Sequence, residues 1–356
     1  MARLGNYVRI RTGKLDANAS SANGQYPFFT CAVEPLKIDS YSYDCECVLV
    51  AGNGDLNVKY YDGKFDAYQR TYIIESLDKT VLTVPYLYCF LDKYVETLRQ
   101  QAIGGVIKYI KLGNLTEAEI PIPSVVEQEK IVGNLGKVKE LIALRKEQLA
   151  KLDRLVKSRF IELFGDPKYN KSNLVKIGEI GALTSGGTPS RAKPEYFEGD
   201  IRWYSAGELN SLYLPDSVEH ISERALQQSS AKLFNKGTLM IGMYDTAAFK
   251  MGILTEDSSS NQACANLNPK QGYNIVWLYY LFDIMKPIFL QERQGVRQKN
   301  LSLSKIKEFE VPFAPFELQE QFATFVEQTD KSKLAIQQSL DKLETLKKSL
   351  MQEYFG

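Results

Sequence analysis

Two stretches of the chain place apolar residues at intervals of three and four positions, with a few of those positions left polar. In the first stretch these residues are Ile131, Leu135, Val138, Ile142, Leu149 and Leu152, and in the second they are Phe322, Val326, Ile336, Leu340, Leu343 and Leu350. Such heptad spacing without an internal proline is typical of helices that pack side by side. The pattern predicts long helices over residues 126–165 and 317–356, each with one apolar seam that requires a partner.

The two predicted helices belong to an internal repeat. Residues 120–165 align without a gap with residues 311–356 at an offset of 191 positions, and the identical pairs include Pro121/Pro312, Gln128/Gln319 and Phe164/Phe355. The chain therefore divides into module 1 (residues 1–125), helix 126–165, module 2 (residues 166–316) and helix 317–356. Two copies of one unit predict an approximate two-fold relation between them.

The charges of the two helical stretches are complementary. Residues 126–165 carry nine Lys or Arg and six Asp or Glu, whereas residues 317–356 carry five and seven. This complementarity favours pairing of the helices with each other, and neither apolar seam can be buried by its own module. We therefore expect an antiparallel coiled coil; the alternative is two unrelated, solvent-exposed helices.

Each module has the sequence pattern of a mixed α/β (α+β) domain with short strands. Runs of β-branched and apolar residues bounded by turn residues predict strands at 47–51 and 238–241. Apolar helices are predicted at 84–101 and 275–292, and a Gly-containing loop follows each of them. The fold prediction is two globular α/β modules separated by two long helices, with a pseudo-two-fold internal repeat.

Composition excludes several classes of site. The 356-residue chain has a net charge of +1 and one histidine, His220, which rules out a two-His zinc site and a His-based triad in each module. Its five cysteines include no C-x-x-C pair and are expected to be reduced thiols without a metal. The N-terminus lacks an apolar run, and residues 274–290 are interrupted by charges and a proline. We therefore expect a cytoplasmic protein with no signal peptide and no membrane partner.

Side chains that can read or hold DNA are concentrated in the loops of both modules. Asn, Gln and Arg form paired hydrogen bonds with base edges, whereas Lys, Ser and Thr contact phosphates. In module 1 the DNA-binding candidates are Tyr26, Phe28, Lys59, Tyr61, Lys64, Tyr68, Gln69, Arg70, Lys108 and Tyr109. In module 2 they are Thr188, Ser190, Arg191, Lys193, Trp203, Tyr244, Lys250, Asn261, Gln262, Arg297, Gln298, Lys299 and Asn300. Recurrence of such loops in both modules favours binding over ordinary surface chemistry.

Longer segments resemble one known family. Residues 152–167 (LDRLVKSRFIELFGDP) and 311–321 (VPFAPFELQEQ) are similar to the central and distal conserved regions of specificity (S) subunits of Type I restriction–modification systems. Residues 185–190 (SGGTPS), and residues 26–30 (YPFFT) with 63–72, resemble parts of target recognition domains in that family. The resemblance covers essentially the whole chain.

The resemblance implies a non-catalytic subunit. In that family each module is a target recognition domain that reads one half of an interrupted, asymmetric sequence in double-stranded DNA, and the paired helices fix the gap. The helices also dock two methyltransferase (M) subunits, which methylate adenine, and restriction (R) subunits can join the complex. S-adenosylmethionine, ATP and Mg are then expected on the partner subunits, with no cofactor or metal bound by this chain.

Other functions stay open at the level of the sequence. The alternatives are the specificity subunit of a related Type II system, a coiled-coil adaptor that binds a protein or glycan, and a nuclease with a dispersed acidic site. A nucleotide-binding loop is disfavoured because Gly52-x-Gly54 and Gly186-Gly187-Thr188 lack the Walker and dinucleotide spacings. The sequence also lacks the adenine-methyltransferase string N-P-P-[FYW].

Overall fold

The computed structural model describes residues 1–293 and 300–356. The chain forms two compact units: unit 1 comprises Met1–Glu147 and Gln337–Gly356, and unit 2 comprises Gln148–Ile336. Each unit therefore contains one module and parts of both long helices. The four-part division inferred from the repeat stays a prediction, since the compact units are not bounded by the helix ends.

Module 1 contains a six-stranded sheet, a two-stranded pair and one long helix. Its strands and helices are β1 (Ala2–Arg3), β2 (Val8–Thr12), β3 (Tyr26–Phe29), β4 (Leu36–Ile38), β5 (Tyr43–Ala51), β6 (Val58–Ala67), β7 (Thr71–Ser76), α1 (Val84–Gln101), α2 (Leu112–Thr116) and β8 (Glu119–Ile120). Six strands form one sheet in the order β2-β7-β5-β6-β3-β4, and β1 pairs with β8. Within the six-stranded sheet, β3 and β6 are parallel and the other neighbouring pairs are antiparallel.

The central strand β5 is buried on both faces. Val48 and Val50 belong to the core that includes α1, whereas Cys47 and Leu49 belong to a second core with Phe65 on the opposite face. Successive side chains of a strand alternate between faces, so two-sided burial requires a continuous apolar run. The strand predicted at 47–51 and the helix predicted at 84–101 are therefore confirmed.

The described part of module 2 contains a four-stranded sheet, a three-stranded sheet, a two-stranded pair and a long helix. Its elements are β9 (Leu174–Lys176), α4 (Ile177–Ile180), β10 (Gly181–Ser185), β11 (Ile201–Tyr204), β12 (Glu219–Ile221), α5 (Glu223–Gln228), β13 (Leu239–Gly242), β14 (Met251–Ile253), β15 (Ser259–Ser260), β16 (Cys264–Pro269), α6 (Ile275–Phe289), α7 (Leu303–Glu308) and β17 (Glu310–Pro312). The larger sheet has the order β10-β16-β13-β14, the smaller one β12-β11-β15, and β9 pairs with β17. Leu239, Ile241 and Leu267 of the larger sheet share a core with Trp277 of α6.

The long helices are α3 (Val125–Phe164) and α8 (Phe316–Phe355), and both lie within one residue of the predicted limits. Helix α3 ends where Gly165 adopts a positive φ of 73°, a conformation that glycine tolerates and that commonly terminates helices. The pattern of three- and four-residue intervals therefore defined both helices correctly.

The two helices pair antiparallel in each unit. In unit 1 their contacts include Asn134 with Tyr354 (3.3 Å), Arg145 with Ser339 (3.2 Å) and Lys146 with Glu344 (3.0 Å). In unit 2 they include Asp153 with Lys333 (2.7 Å) and the ring of Phe160 with that of Phe322 (5.3 Å between centroids). Lower numbers in α3 meet higher numbers in α8, and oppositely charged side chains face each other, as the sequence predicts.

Burial along the predicted seam is greatest next to the module cores. The seam residues that are fully buried are Ile131, Leu135, Val138, Phe322, Val326 and Leu340. The seam residues that are only half-buried are Ile142, Leu149, Leu152, Ile336, Leu343 and Leu350. Phe160 and Phe355, which lie outside the predicted seam, are buried in the cores of units 2 and 1. The expectation that neither seam is buried by its own module is therefore wrong at the helix starts. Ile131 and Leu135 pack in the core of module 1, and Phe322 and Val326 pack in the core of module 2.

Two buried glutamines join the long helices to the modules. Gln128 of α3 accepts a hydrogen bond from the backbone N–H of Thr83, the residue that precedes α1 (2.9 Å). Gln319 of α8 accepts one from the N–H of Asn274, which precedes α6 (2.8 Å). Each side-chain amide also donates to two backbone carbonyls at 2.7–3.3 Å. These matching contacts give a structural reason for the identity of the two positions in the repeat.

Replacing Gln319 with leucine is expected to lower the free energy of unfolding of unit 2 by about 2–3 kcal/mol, because buried backbone groups lose their partners. Both tryptophans of the chain, Trp203 and Trp277, lie in unit 2, so tryptophan fluorescence during urea unfolding reports on this unit. The matched control is Gln321→Leu, at an exposed position of the same helix, with an expected change within about 0.5 kcal/mol. Equal unfolding midpoints for the two variants would contradict the role assigned to Gln319.

Candidate nucleic-acid interface

Three candidates of module 1 meet at the turn of residues 52–54. The backbone N–H of Gly52 donates to the carbonyl of Arg70 (2.8 Å), and that of Gly54 donates to the carbonyl of Lys108 (2.9 Å). Tyr109 forms a β-bridge with the residue between these glycines. The side chains of Arg70, Lys108 and Tyr109 are exposed. We call these three residues the Arg70 cluster; it joins two cations and an aromatic ring from segments that are distant in sequence.

Lys59 is connected to the same edge of module 1. The amide of Asn57 donates to the carbonyl of Cys31 (2.9 Å), the Cys31 thiol contacts the carbonyl of Arg70 (3.7 Å), and the Lys59 ammonium donates to Asn57. Burial lowers the pKa of Lys59. A half-buried lysine held by a neighbouring amide offers fewer free donors to a ligand than an exposed one.

A second group of module 1 candidates surrounds the ring of Tyr41. The rings of Tyr26 and Tyr41 lie 4.9 Å apart, and the Lys64 ammonium lies 4.8 Å from the Tyr41 ring centroid. Tyr61 donates to the carbonyl of Lys64 (3.3 Å) and packs against Phe29 (5.0 Å). A lysine over an aromatic face is attracted by the ring quadrupole. Tyr41 was absent from the candidates, and its proximity depends on the pairing of β3 with β4 and β6.

In module 2 the loop of residues 186–191 lies against the segment of residues 260–264. The N–H of Gly187 donates to the carbonyl of Ser260 (2.8 Å), and the Thr188 hydroxyl donates to the side chain of Gln262. A Cβ on Gly187 would lie 2.0 Å from the carbonyl oxygen of Ser230, so this position requires glycine for a close backbone approach. The fold thus brings Thr188 to Gln262 and its neighbour Asn261.

Arg191 is held at the end of this loop. Its guanidinium makes two parallel hydrogen bonds with the Glu219 carboxylate (2.5 and 2.8 Å), and it lies 4.2 Å from the centroid of the Phe197 ring. The hydrogen bond raises the pKa of Arg191 and lowers the pKa of Glu219. Trp203 lies behind the loop, where its indole N–H donates to the carbonyl of Gly187 (3.0 Å). These contacts give the loop a fixed shape.

A third group joins Asn300 to the turn between β13 and β14. The Asn300 side chain accepts a hydrogen bond from the N–H of Asp245 (3.0 Å) in the turn between β13 and β14. Asp245 and Phe249 both have positive φ values, 47° and 53°, which L-residues rarely adopt and which occur preferentially at functional sites. This turn carries the candidates Tyr244 and Lys250. The candidates Arg297, Gln298 and Lys299 lie outside the described residues.

The candidates differ widely in exposure. Those with exposed side chains are Lys64, Gln69, Arg70, Lys108, Tyr109, Ser190, Arg191, Lys193, Tyr244 and Gln262, and those that are half-buried are Tyr26, Lys59, Tyr61, Tyr68, Thr188, Lys250, Asn261 and Asn300. Phe28 and Trp203 are 0% and 3% exposed. Their side chains form part of the cores, so we do not include them among the surfaces that can contact DNA directly.

The described residues contain neither a group of metal ligands nor a membrane-spanning helix. In residues 1–293 and 300–356, no three His, Cys, Asp or Glu side chains are grouped so as to hold a metal ion. Over the same residues, no helix is both long enough and apolar enough to cross a membrane.

Comparison with known families decides what the two modules are. The family model described as the Type I restriction modification DNA specificity domain matches residues 2–154 and, a second time, residues 169–347. The chain belongs to this family. Each match covers one module and most of the long helix that follows it, which confirms the internal repeat.

Individual relatives agree with the family. The chain is 38% identical over 154 residues to the Type I restriction enzyme EcoDI specificity subunit of Escherichia coli. This alignment covers 43% of this chain and 34% of that protein. The chain is also 31% identical over 160 residues to the MjaIX specificity subunit of Methanocaldococcus jannaschii, covering 44% and 37%. The matched stretch thus spans about a third of the length of these relatives.

A solved structure shares the fold. The Type-I restriction–modification S subunit from M. genitalium superposes with a TM-score of 0.64 at 18% sequence identity, over 100% of this chain and 95% of that one. This similarity supports the predicted mixed α/β architecture with long helices, independently of close sequence identity.

Proposed function

We propose that this chain is the non-catalytic DNA-specificity subunit of a Type I restriction–modification complex. Module 1 reads one half of a bipartite, asymmetric target in double-stranded DNA, and module 2 reads the other half. The observation that carries the proposal is the double match to a DNA specificity domain, once over each module and its helix. Because the two modules differ in sequence and in sheet topology, we expect two different half-sites.

The candidates with exposed or half-buried side chains support a reading role. The Arg70 cluster in module 1 and the pair Thr188 and Gln262 in module 2 combine cations, amides and hydroxyls on loops that are fixed by backbone hydrogen bonds. Such groups can contact base edges and phosphates. The modules are nearly neutral, with 13 Lys or Arg against 14 Asp or Glu in residues 1–125. We therefore expect the chain alone to bind DNA weakly, with a shallow salt dependence.

Partners supply the chemistry in this proposal. Two methyltransferase (M) subunits dock on the paired helices and carry S-adenosylmethionine for adenine methylation. Restriction (R) subunits join with ATP and Mg when the complex cleaves DNA. This chain binds no cofactor of its own, and we infer that it works in the cytoplasm, where the DNA is. A related Type II system would use the same two modules with a fused cutter–methylase partner.

Sequencing of methylated adenines in the host, with and without this gene, tests the proposal. We expect one interrupted adenine motif to lose all methylation when the gene is deleted and to regain it on complementation. An unchanged set of methylated motifs in a host that expresses the chain and its methyltransferase would refute it. Metal-dependent cleavage of DNA by the purified chain would instead favour a nuclease. Assembly with a partner into a complex that does not bind DNA would favour an adaptor.

A further inference from the structure

A groove of module 2 lies beside the loop of residues 186–191. It has a volume of about 400 Å³, and its lining includes Thr184, Lys232, Asn235, Thr238 and Asn268. Thr184 and Asn268 alternate along β10 and β16 with Leu183 and Leu267, which pack in the core that includes α6. The groove therefore lies on the face of the larger sheet that is opposite to α6. We call it the Lys232 groove.

The Lys232 groove is rich in hydrogen-bond donors. Lys232 is exposed, and it is the one charged side chain among the described residues that line the groove. Its ammonium donates to the carbonyl of Ser185 (3.1 Å), which leaves two further N–H groups for a ligand. Asn235 and Asn268 add exposed amides. The groove thus offers one positive charge and several neutral donors to a ligand that accepts hydrogen bonds.

The residues that line the groove include Thr238, whose side chain is buried. Thr238 is 1% exposed, and its hydroxyl has no hydrogen-bond partner in the described structure. Leaving a buried hydroxyl unpaired costs free energy, so such groups are rare. The Thr238 hydroxyl is itself covered, so a ligand in the groove would contact the exposed side chains of Lys232, Asn235 and Asn268.

The groove and the candidate loop share one surface. The carbonyl of Ser230 lies against Gly187, the Ser230 hydroxyl donates to the carbonyl of Thr188 (3.4 Å), and Lys232 is bonded to Ser185 at the start of the loop. The loop and the groove therefore adjoin each other on module 2. In the proposed function the ligand is duplex DNA, whose backbone presents acceptors with one negative charge at each phosphate.

We propose that the Lys232 groove binds one phosphate of the DNA backbone next to the half-site that module 2 reads. Lys232 supplies the charge, and the amides of Asn235 and Asn268 donate to the phosphate oxygens. A phosphate contact of this kind fixes the register of the protein on the duplex and carries no base preference. The proposal rests on the proposed function and adds to it the residues that position module 2.

The test measures binding of the chain, in complex with its methyltransferase partner, to a duplex that contains the motif found by methylation sequencing. For Lys232→Ala we expect about tenfold weaker binding to specific and random duplexes alike. The slope of log K against log salt should become shallower by about 0.9, which corresponds to one lost phosphate contact. The methylated motif should stay the same. The matched control is Lys236→Ala, an exposed lysine four residues along that does not line the groove.

A neutral phosphate analogue locates the contact. A set of duplexes is prepared, each with one methylphosphonate at a different position. At one position we expect the substitution to weaken binding of the wild-type complex about tenfold, relative to the unmodified duplex. The same substitution should not weaken binding of the Lys232→Ala complex. If Lys232→Ala and Lys236→Ala bind alike while the wild-type complex binds its motif, the groove proposal fails and the proposed function stands. If Lys232→Ala prevents assembly with the methyltransferase without DNA, the groove docks a protein carboxylate instead, and the proposal is also overturned.

Discussion

Exchange of module 1 for a module from a different S subunit is expected to replace one half of the methylated motif and leave the other half unchanged. Unit 1 has its own core, formed by the sheet, α1 and the adjoining ends of α3 and α8. Recognition by one module should therefore not depend on side chains of the other. The expected effect is complete: methylation of the original motif is lost and a hybrid motif appears, as measured by methylation sequencing.

The structure indicates which contacts the exchanged module must keep. Tyr86 of α1 packs against Phe355 of α8 (5.3 Å between ring centroids) and donates to the carbonyl of Pro121 (2.9 Å). Gln128 accepts from the N–H of Thr83 just before α1 (2.9 Å). A donor module with an aromatic residue at the position of Tyr86 should pack against the ends of the long helices as module 1 does. One with alanine there should lose about 3–5 kcal/mol of stability.

The reciprocal exchange of residues 166–316 is the control. It should change only the other half of the motif. If either exchange alters both halves, the two modules do not read DNA independently, and the modular interpretation is wrong. If a hybrid chain is stable by urea unfolding and assembles with methyltransferase but methylates nothing, the modules do not carry the sequence preference.

The helices could be predicted almost to the residue because their pattern is local. A seam at intervals of three and four residues and Gly165 at the end define α3 without knowledge of the modules. The helix predicted at 275–292 includes Pro287, and α6 does continue through this proline to Phe289, since the surrounding apolar residues are buried in the core of unit 2. Tertiary packing can outweigh the cost of a proline near a helix end.

The candidate site was less predictable because its geometry is made by distant segments. Aromatic residue type alone does not distinguish a stacking side chain from a core one, so Phe28 and Trp203 were included although both are buried. Arg191 was identified as a candidate, but its bidentate partner Glu219 is 28 residues away and has no signal in the sequence. Lys232 was not among the candidates because the Ser-Ser-Ala segment before it matches no motif. Its neighbours in the groove include residues from the strands of the larger sheet, which are distant in sequence.

Insertion of seven residues into both long helices is expected to lengthen the gap of the motif while both half-motifs stay the same. The boundary between the compact units falls between Glu147 and Gln148 in α3 and between Ile336 and Gln337 in α8, so insertion there leaves both units intact. Seven residues lengthen a helix by about 10 Å and turn it by about 20° less than two full turns, so the seam remains continuous.

The expected gap is longer by one to about three base pairs. The upper value of about three base pairs applies if the whole extension of about 10 Å lies parallel to the DNA axis, where each base pair occupies about 3.4 Å. The rotation that accompanies each added base pair favours a smaller value. Methylation sequencing of a host with the lengthened chain measures the gap directly. Insertion of seven residues into α3 alone is the matched control; it shifts the seam of one helix against the other and should abolish methylation. A doubly lengthened chain that methylates with the original gap would show that the helices do not set the spacing.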